Sequence, residues 1–129
     1  MQKLTLESIG THLTIEIDTQ KSCEKDFHTI TERLSHFEQK FSRFREDNWL
    51  RELNTSKHAI LDDDARKMLS FALSLAEKTH GYFDPTIGKQ LSRLGYGRTT
   101  DAQENNGNFH DVKIHDHEVF LQNGVELEF

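Results

Sequence analysis

The chain has 129 residues, which is enough for one ordinary domain or for part of one. Hydrophobic residues make up 34% of it, a sparse supply for a domain that forms its core alone. A formal net charge of -6 excludes a broadly basic surface, so no nucleic-acid partner is predicted.

No apolar run approaches the roughly 18 residues that span a bilayer, so no transmembrane segment is predicted. The first twenty residues contain neither a basic start nor an apolar run, and they therefore show no export signal. Because export signals are removed from mature proteins, the cellular compartment stays unassigned.

The N-terminal part of the chain predicts a hairpin and then a long amphipathic helix. Residues 4–17 alternate apolar and polar positions on both sides of Gly10, which predicts strand, bend and strand. From Ser22, a predicted N-cap, apolar residues recur at spacings of three and four, as in a core-facing helix. The stripe consists of Cys23, Phe27, Ile30, Leu34, Phe37 and Phe41. It is too short and too aromatic for a coiled coil, so core packing is predicted, including for the single cysteine.

The middle of the chain predicts a short helix over residues 49–54, a short extended piece over 59–61 and a second long helix over 64–80. Three consecutive aspartates at 62–64 look like a metal site at first sight. Acids at a helix start interact favourably with the helix dipole, however, and we interpret them as caps. Gly81 is the predicted C-terminal stop of this helix.

The C-terminal part predicts β structure after a polar, turn-rich stretch at residues 99–108, which we interpret as a mobile loop. Strands follow around 112–114 and 119–121, and an Asn123-Gly124 turn leads to a final strand over 125–129. That strand has no neighbour in the pattern, so we expect an unpaired edge and self-association through it. Together the elements predict an α+β fold, in which a mixed or antiparallel sheet packs against two long amphipathic helices.

Residues 81–88 are chemically the most unusual segment, because a carboxylate, a hydroxyl and the only proline lie in one turn after a helix. Pro85 fixes the backbone and favours an extended Asp84, which would hold the carboxylate in place for a ligand. The competing interpretation is that Asp84 only caps a helical segment starting at Pro85, with Ile87 in the core. Spacing alone favours the capping interpretation.

Three other segments are weaker candidates. Residues 41–45 interleave aromatic and cationic groups, which could stack a flat ring and pair with phosphate. The alternative is that Phe41 and Phe44 end a helix in the core while the arginines are solvated. We interpret residues 94–97 as a turn that contains two glycines. Residues 115–117 contain two histidines, and we interpret them as an exposed loop rather than a metal site. No catalytic residue and no metal ligand is predicted.

Four segments, taken in order, resemble the ApbE family of FAD:protein FMN transferases, once described as thiamine-biosynthesis lipoproteins. They are Ser8-Ile9-Gly10-Thr11, Phe41-Ser42-Arg43-Phe44-Arg45-Glu46-Asp47 with Leu53-Asn54, Gly81-Tyr82-Phe83-Asp84-Pro85-Thr86-Ile87-Gly88, and Leu94-Gly95-Tyr96-Gly97. They are similar, respectively, to the family's Met-Gly-Thr, Ser-x-Tyr with Leu-Asn, Gly-x-Phe-Asp-Pro-Thr-Val-Gly and Trp-Gly-Phe-Gly elements. The resemblance covers nearly the whole chain, and its third segment is the strongest match.

In that family the first and third segments line the FAD site together with the aromatic residue of the second. The resemblance therefore implies FAD contacts from Ile9, Phe44, Tyr82, Phe83 and Asp84. Ile9 stands where methionine is usual, and Phe44 stands where tyrosine is usual. These exchanges keep an apolar or stacking surface but lose a hydroxyl hydrogen bond.

The resemblance also implies that residues 1–129 are a single N-terminal portion of an ApbE-like domain, incomplete relative to the full family fold. FAD would be the substrate, and a threonine of a target flavoprotein would receive the FMN. In the family, a Gly-Gly-x-x-Lys-Gly element and the Mg²⁺ ligands follow a strand like 125–129, and this sequence contains neither. We therefore expect no transfer by this chain alone. A non-catalytic flavin-binding or protein-interaction module, or an α+β domain in which these segments only pack, are the alternatives left open.

Overall fold

The computed structural model describes residues 1–95 and 107–129. In these residues the strands form two antiparallel sheets and are joined by helices, so the predicted α+β class is confirmed. Backbone contacts divide the chain into two compact units, Met1–Ser42 and Arg43–Phe129. The interpretation of the chain as a single N-terminal portion stays a prediction.

The first unit begins with a tight hairpin. Strand β1 (Gln2–Ser8) pairs with strand β2 (Thr11–Ile17) in antiparallel register, as the break at Gly10 predicts. The two turn residues, Ile9 and Gly10, both have positive φ, at 49° and 74°. A two-residue hairpin loop of this twist requires that geometry, which is unusual for a β-branched residue such as Ile9.

Helix α1 (Glu24–Phe41) follows the hairpin and packs on β1. The predicted N-cap at Ser22 is wrong, because the cap position is Cys23, which makes no side-chain cap bond. Cys23 is nevertheless buried, so its predicted packing role is confirmed. At the other end of the helix, the Phe37 and Phe41 ring centroids lie 4.9 Å apart.

The second unit contains a three-stranded antiparallel sheet. Its order is β3-β5-β4, so β5 lies in the centre and both of its edges are paired. The strands are β3 (His58–Ile60), β4 (Val112–His115) and β5 (Glu118–Leu121). The helices are α2 (Trp49–Ser56), α3 (Asp63–Lys78) and α4 (Gly88–Arg93), and a 3-10 turn spans Phe109–Asp111. Across residues 1–95 and 107–129, no helix has the length and apolar character needed to cross a membrane.

Local hydrogen bonds fix both ends of α3. The Asp62 carboxylate accepts the Ala65 N–H at 2.9 Å, which confirms the capping interpretation of the aspartates. At the C-terminal end, the His80 N–H donates to the Glu77 carbonyl at 3.0 Å, and the Gly81 N–H donates to the Ala76 carbonyl at 2.9 Å. This is a Schellman arrangement, with left-handed backbone at His80 and Gly81. The helix therefore ends at Lys78, two residues before the predicted end at His80, and Gly81 is the second left-handed residue of the turn that stops it.

The predicted final strand over residues 125–129 is wrong. Because β3 and β4 occupy both edges of β5, the chain leaves the sheet after the turn at Asn123 and Gly124. Residues 125–129, named here the C-terminal segment, form one isolated parallel bridge, between Glu126 and Ile87. The segment still buries alternate residues, as a strand would, but it is not the free sheet edge that the sequence predicts.

Parts of two predicted segments fall on residues 96–106. The end of the predicted 94–97 turn and most of the predicted 99–108 loop therefore lie outside the described residues. Leu94 and Gly95 are described, and they end α4 with a turn in which Gly95 has a φ of 86°. That positive φ fits the predicted turn at its first glycine.

Candidate functional site

The candidate site is the loop of residues 81–88, named here the Asp84 loop, which joins α3 to α4. Thr86 donates both its backbone N–H and its hydroxyl to Oδ1 of Asp84, at 2.8 and 2.6 Å. The Asp84 side chain thus closes a turn on its own backbone, and the buried Pro85 ring lies inside that turn. The carboxylate is held in a single position without any helix of its own to cap.

The capping interpretation of this loop is therefore correct in one respect and wrong in two. Asp84 does cap the backbone two residues on. The following helix starts at Gly88 rather than at Pro85, and Ile87 is 39% exposed rather than in the core. The residue that the turn buries is Thr86, at 1% exposure.

The second half of the Asp84 loop is bonded to the C-terminal segment. The Glu128 N–H donates to the Pro85 carbonyl at 2.8 Å, and the Gly88 N–H donates to the Glu126 carbonyl at 3.1 Å. A Cβ atom at Gly88 would lie only 3.0 Å from that Glu126 oxygen, a distance that real Cβ atoms seldom reach. A side chain at position 88 would therefore require the Glu126 backbone to shift by a few tenths of an ångström.

Asn54 holds the same segment from the side of α2. Its carboxamide donates to the Leu127 carbonyl at 3.0 Å and accepts the Leu127 N–H at 2.7 Å. One side chain therefore satisfies both backbone groups of a fully buried residue, as a neighbouring strand would do. Sequence reasoning identified Asn54 only as part of the family resemblance, and nothing in the local pattern indicates a partner so far along the chain.

Two ion pairs flank the C-terminal segment. Glu128 lies 3.5 Å from Arg43, and burial raises the pKa of the Glu128 carboxyl, an effect that Arg43 partly offsets. The Lys57 ammonium lies 3.7 Å from Glu126 and donates to the Val125 carbonyl at 3.1 Å. Burial lowers the pKa of Lys57, and Glu126 partly offsets that effect. Ion pairs between partly buried charged groups therefore hold the C-terminal segment, in addition to its backbone hydrogen bonds.

The first half of the Asp84 loop is open to solvent. Tyr82 is 97% exposed and Phe83 is 38% exposed, although the Phe83 N–H is fixed by the Thr79 hydroxyl at 3.0 Å. At that exposure the Tyr82 ring contributes almost nothing to a core, whereas the Phe83 ring is partly covered. The structure therefore leaves these two rings accessible to a ligand and does not seal them inside the fold.

Asp84 also lines an open cleft with a volume of about 480 Å³. The other walls come from the end of α3 and from the 3-10 turn, and the lining residues are Glu77, His80, Gly81, Asn108, Phe109 and His110. The Phe109 and His110 rings lie against each other with centroids 4.1 Å apart. Sequence reasoning missed the 3-10 turn as part of this cleft, because it follows Asp84 at a long separation with no recognisable motif.

Phe44 and Ile9 complete the set of predicted contacts. Phe44 is 64% exposed, with the Arg43 guanidinium 4.9 Å from its ring centroid, so it does not lie in the core as the alternative interpretation has it. Phe41 does end α1 in the core and Arg45 is exposed, as that alternative has it, but the Arg43 side chain is only 20% exposed. Ile9 belongs to the first unit, where it is 48% exposed and donates its N–H to Glu38 at 3.4 Å. Of the five predicted residues, Asp84, Tyr82 and Phe83 adjoin one another, and Asp84 lines the cleft.

Within residues 1–95 and 107–129, no three His, Cys, Asp or Glu side chains come close enough together to hold a metal ion. His115 and His117 are exposed around a turn at Asp116, as predicted.

Several solved structures share this fold. The ApbE protein of Thermotoga maritima has a TM-score of 0.83 and 23% identity, over 98% of this chain and 46% of that one. The apo flavinyl transferase ApbE of Pseudomonas stutzeri has a TM-score of 0.80 and 16% identity, over 99% and 46%. The flavin transferase ApbE of Vibrio cholerae has a TM-score of 0.76 and 16% identity, over 98% and 47%. No curated protein sequence matches the chain.

These likenesses define the class of fold: the chain has the α+β architecture of about half of an ApbE-type structure. Because the identities are below 25%, they establish the fold alone. The family follows from the sequence, since residues 9–127 match the sequence profile of the ApbE family. The chain belongs to the ApbE family, and the predicted membership is confirmed.

Proposed function

We propose that the chain is the N-terminal, FAD-binding portion of an FAD:protein FMN transferase, which moves FMN from FAD to a threonine of a target flavoprotein. The observation that carries this proposal is the Asp84 loop. A carboxylate locked by its own turn lines a cleft, and two accessible aromatic side chains precede it. Family membership and the names of the solved relatives, flavin transferases, support the same function.

The proposed FAD contacts are of two kinds, a hydrogen bond to Asp84 and stacking on aromatic rings. Both internal bonds of Asp84 go to Oδ1, so Oδ2 is the oxygen that would accept a hydrogen bond from a ribose hydroxyl or a ring N–H. Tyr82 and Phe83 offer ring faces for stacking, and Phe44 is a third exposed ring, with the Arg43 guanidinium over one face. The cleft falls within the ordinary size range of ligand sites, about 300–1,000 Å³, and suits part of a dinucleotide.

We also propose that the 129 residues bind FAD without transferring FMN. The resemblance puts the Mg²⁺ ligands in segments outside this sequence, and a metal is the usual means of neutralising a pyrophosphate in its transition state. Mg²⁺ dependence and the acceptor threonine are therefore proposals about the longer protein. Self-association also stays a proposal, although the C-terminal segment no longer offers the free edge for it.

FAD titration followed by flavin fluorescence tests the binding proposal. We expect saturable quenching with the wild-type chain and at least tenfold weaker binding for Asp84→Ala. Asp18→Ala, which removes the same charge from an exposed position, is the matched control and should bind normally. Because Asp84→Ala also loses the turn bonds, circular dichroism must show that it is folded, and Tyr82→Ala supplies a second site variant.

The same samples separate the two classes of function. Incubation with FAD, Mg²⁺ and an acceptor flavoprotein, followed by mass spectrometry, should show no added FMN for the chain and addition for a longer form. Absence of quenching in the folded wild-type chain would refute the site. FAD binding in a longer form that never transfers FMN would favour the non-catalytic flavin-binding module.

A further inference from the structure

Glu128 connects two of the segments that carry the proposed FAD contacts. Its backbone N–H donates to the carbonyl of Pro85, the residue after Asp84, at 2.8 Å. Its carboxylate Oε1 lies 3.5 Å from Nε of Arg43, the residue before Phe44. All five residues belong to the second unit. One residue of the C-terminal segment therefore reaches both the loop that holds Asp84 and the turn that holds Phe44.

The Phe44 ring lies against a cation rather than in the core. Phe44 occupies a turn between α1 and α2, outside any helix or strand, and it is 64% exposed, so burial does little to orient its ring. The Arg43 guanidinium lies over the ring, 4.9 Å from the centroid, and such a cation–π contact favours one orientation of the ring. A guanidinium held in that place therefore determines how Phe44 meets a flat ligand.

Glu128 in turn holds that guanidinium. The Arg43 and Glu128 side chains are only 20% and 18% exposed, so water and salt screen their ion pair less than they screen a surface pair. An arginine side chain is long and flexible, and an opposite charge beside it restricts the conformations that it takes. Because the Glu128 backbone is bonded to Pro85, the carboxylate that restrains Arg43 starts from a fixed point in the fold.

The charge of Glu128 lowers the stability of the fold. Burial raises the pKa of the Glu128 carboxyl, and the Arg43 guanidinium offsets this only in part, while Lys57 pairs with Glu126 rather than with Glu128. A raised carboxyl pKa means that the fold is less stable when the group is ionised than when it carries its proton. Charged groups kept at such a cost are more typical of functional sites than of stabilising contacts.

We propose that Glu128 is a positioning residue for flavin binding, which acts through Arg43 to hold the Phe44 ring in the orientation that stacks on FAD. This inference rests on the proposed function, because it needs FAD in the site and Phe44 in contact with it. The competing role for the same pair is a phosphate site, in which Arg43 binds the pyrophosphate and Glu128 competes for it. Loss of the Glu128 charge weakens FAD binding in the first role and strengthens it in the second.

FAD titration followed by flavin fluorescence tests the proposal with Glu128→Gln, which keeps the shape of the side chain and removes its charge. We expect binding roughly fivefold weaker than in the wild-type chain, as the loss of one cation–π contact would give. Glu126→Gln is the matched control, because it removes the same charge from the same segment, beside Lys57, and it should bind FAD normally. Equal or tighter FAD binding by Glu128→Gln overturns the proposal.

A double-mutant cycle determines whether Glu128 acts through Phe44. Phe44→Ala should weaken FAD binding, and in that background Glu128→Gln should have no further effect, because the ring that it orients is gone. Losses that add in the double variant would mean that Glu128 acts on FAD by another route, and they would overturn the proposal. Circular dichroism of each variant confirms that the chain is folded.

The pH profile separates positioning from a general loss of structure. As the pH falls through the folded pKa of Glu128, the carboxyl gains a proton, which stabilises the fold but removes the charge that holds Arg43. The FAD affinity of the wild-type chain should therefore fall towards that of Glu128→Gln, while its stability relative to that variant rises. The ratio of the two affinities cancels the effect of pH on the groups that both proteins share. A ratio that does not change with pH contradicts the positioning role.

The placement of Arg43 can also be measured without FAD. Side-chain protons over an aromatic ring give NMR signals that the ring current shifts upfield, so the Arg43 signals should be shifted in the wild-type chain. The shift should vanish in Phe44→Ala and shrink in Glu128→Gln. If the folded wild-type chain does not bind FAD, the proposed function fails and this inference fails with it. If Asp84→Ala weakens FAD binding and Glu128→Gln does not, this inference alone fails.

Discussion

The two halves of the Asp84 loop differ sharply in environment although they belong to one short motif. Tyr82 is almost fully exposed and Phe83 is 38% exposed, whereas Pro85, Thr86 and Gly88 are buried and the loop is bonded there to the C-terminal segment. Asp84 lies at the boundary, with one carboxylate oxygen engaged in the turn. The comparison teaches that a short motif can resemble a family signature as a whole while half of its residues are buried and determine the shape of the backbone.

Replacement of Gly88 by valine tests the buried half most severely. The new side chain would collide with the Glu126 backbone, and overpacking of this kind costs about 3 kcal/mol in unfolding free energy. Urea denaturation of the two proteins measures the difference, and Gly88→Ala should fall between them. Equal stability of all three would mean that the C-terminal segment does not press on the loop.

Asn54→Ala tests the support of that segment from α2. The change removes two hydrogen bonds and leaves the backbone groups of buried Leu127 without them, so we expect a loss of about 2 kcal/mol. Thr55→Ala, one residue further along and exposed, is the control and should change stability by under about 0.5 kcal/mol. A similar stability for the two variants would contradict the role assigned to Asn54.

Thr86→Val tests the internal bond of the turn with little change in side-chain volume. It removes the hydroxyl bond to the Asp84 carboxylate, and a hydrogen bond to a charged group contributes about 1.5 kcal/mol. Urea denaturation again gives the free energy of unfolding. An unchanged midpoint would show that the backbone N–H bond alone holds the carboxylate.

The pH dependence of stability tests the ion pair beside the buried half. Because the pKa of Glu128 is raised in the folded chain, the unfolded chain loses this proton first as the pH rises above about 4.5. The stabilising effect of the proton is therefore complete below that pH and is lost as the pH passes through the folded pKa. The stability of the wild-type chain minus that of Glu128→Gln should fall across this window and then level off. A difference that does not vary with pH would contradict the raised pKa.

Tyr82→Ala should have the smallest effect on the fold. The side chain is almost fully exposed, so unfolding free energy should change by under about 0.5 kcal/mol. If the ring stacks on FAD, loss of about 1 kcal/mol of stacking should weaken FAD binding roughly fivefold. A variant that is destabilised as much as Thr86→Val would remove the distinction between the two halves.

Most of the fold could be predicted because its signals are local. The spacing of apolar residues, the aspartates before α3 and the glycines in turns determine where helices and turns form. The final strand could not be predicted in the same way. Val125 and Leu127 alternate with glutamates as they would in a sheet, but β5 already has two neighbours, and that fact depends on pairing between distant parts of the chain.

The candidate site was predictable to a smaller extent. Pro85 and Asp84 indicated a rigid turn from their chemistry alone, and the turn bond between Asp84 and Thr86 agrees with that prediction. The cleft beside Asp84 was not predictable, because His80 and Phe109 reach it from separate segments with no common motif. The roles of all five predicted contacts in binding stay predictions until FAD is titrated.

The bonds between the Asp84 loop and the C-terminal segment also bear on the order of events during synthesis. A ribosome adds roughly 5–20 residues per second, so a nascent chain carries the loop for some seconds before Glu126 and Glu128 exist to hold it. During that interval, the loop has the hydrogen bonds between Asp84 and Thr86 but lacks its backbone hydrogen bonds to Glu126 and Glu128. The backbone support of the Asp84 loop is therefore complete only after translation has passed these glutamates.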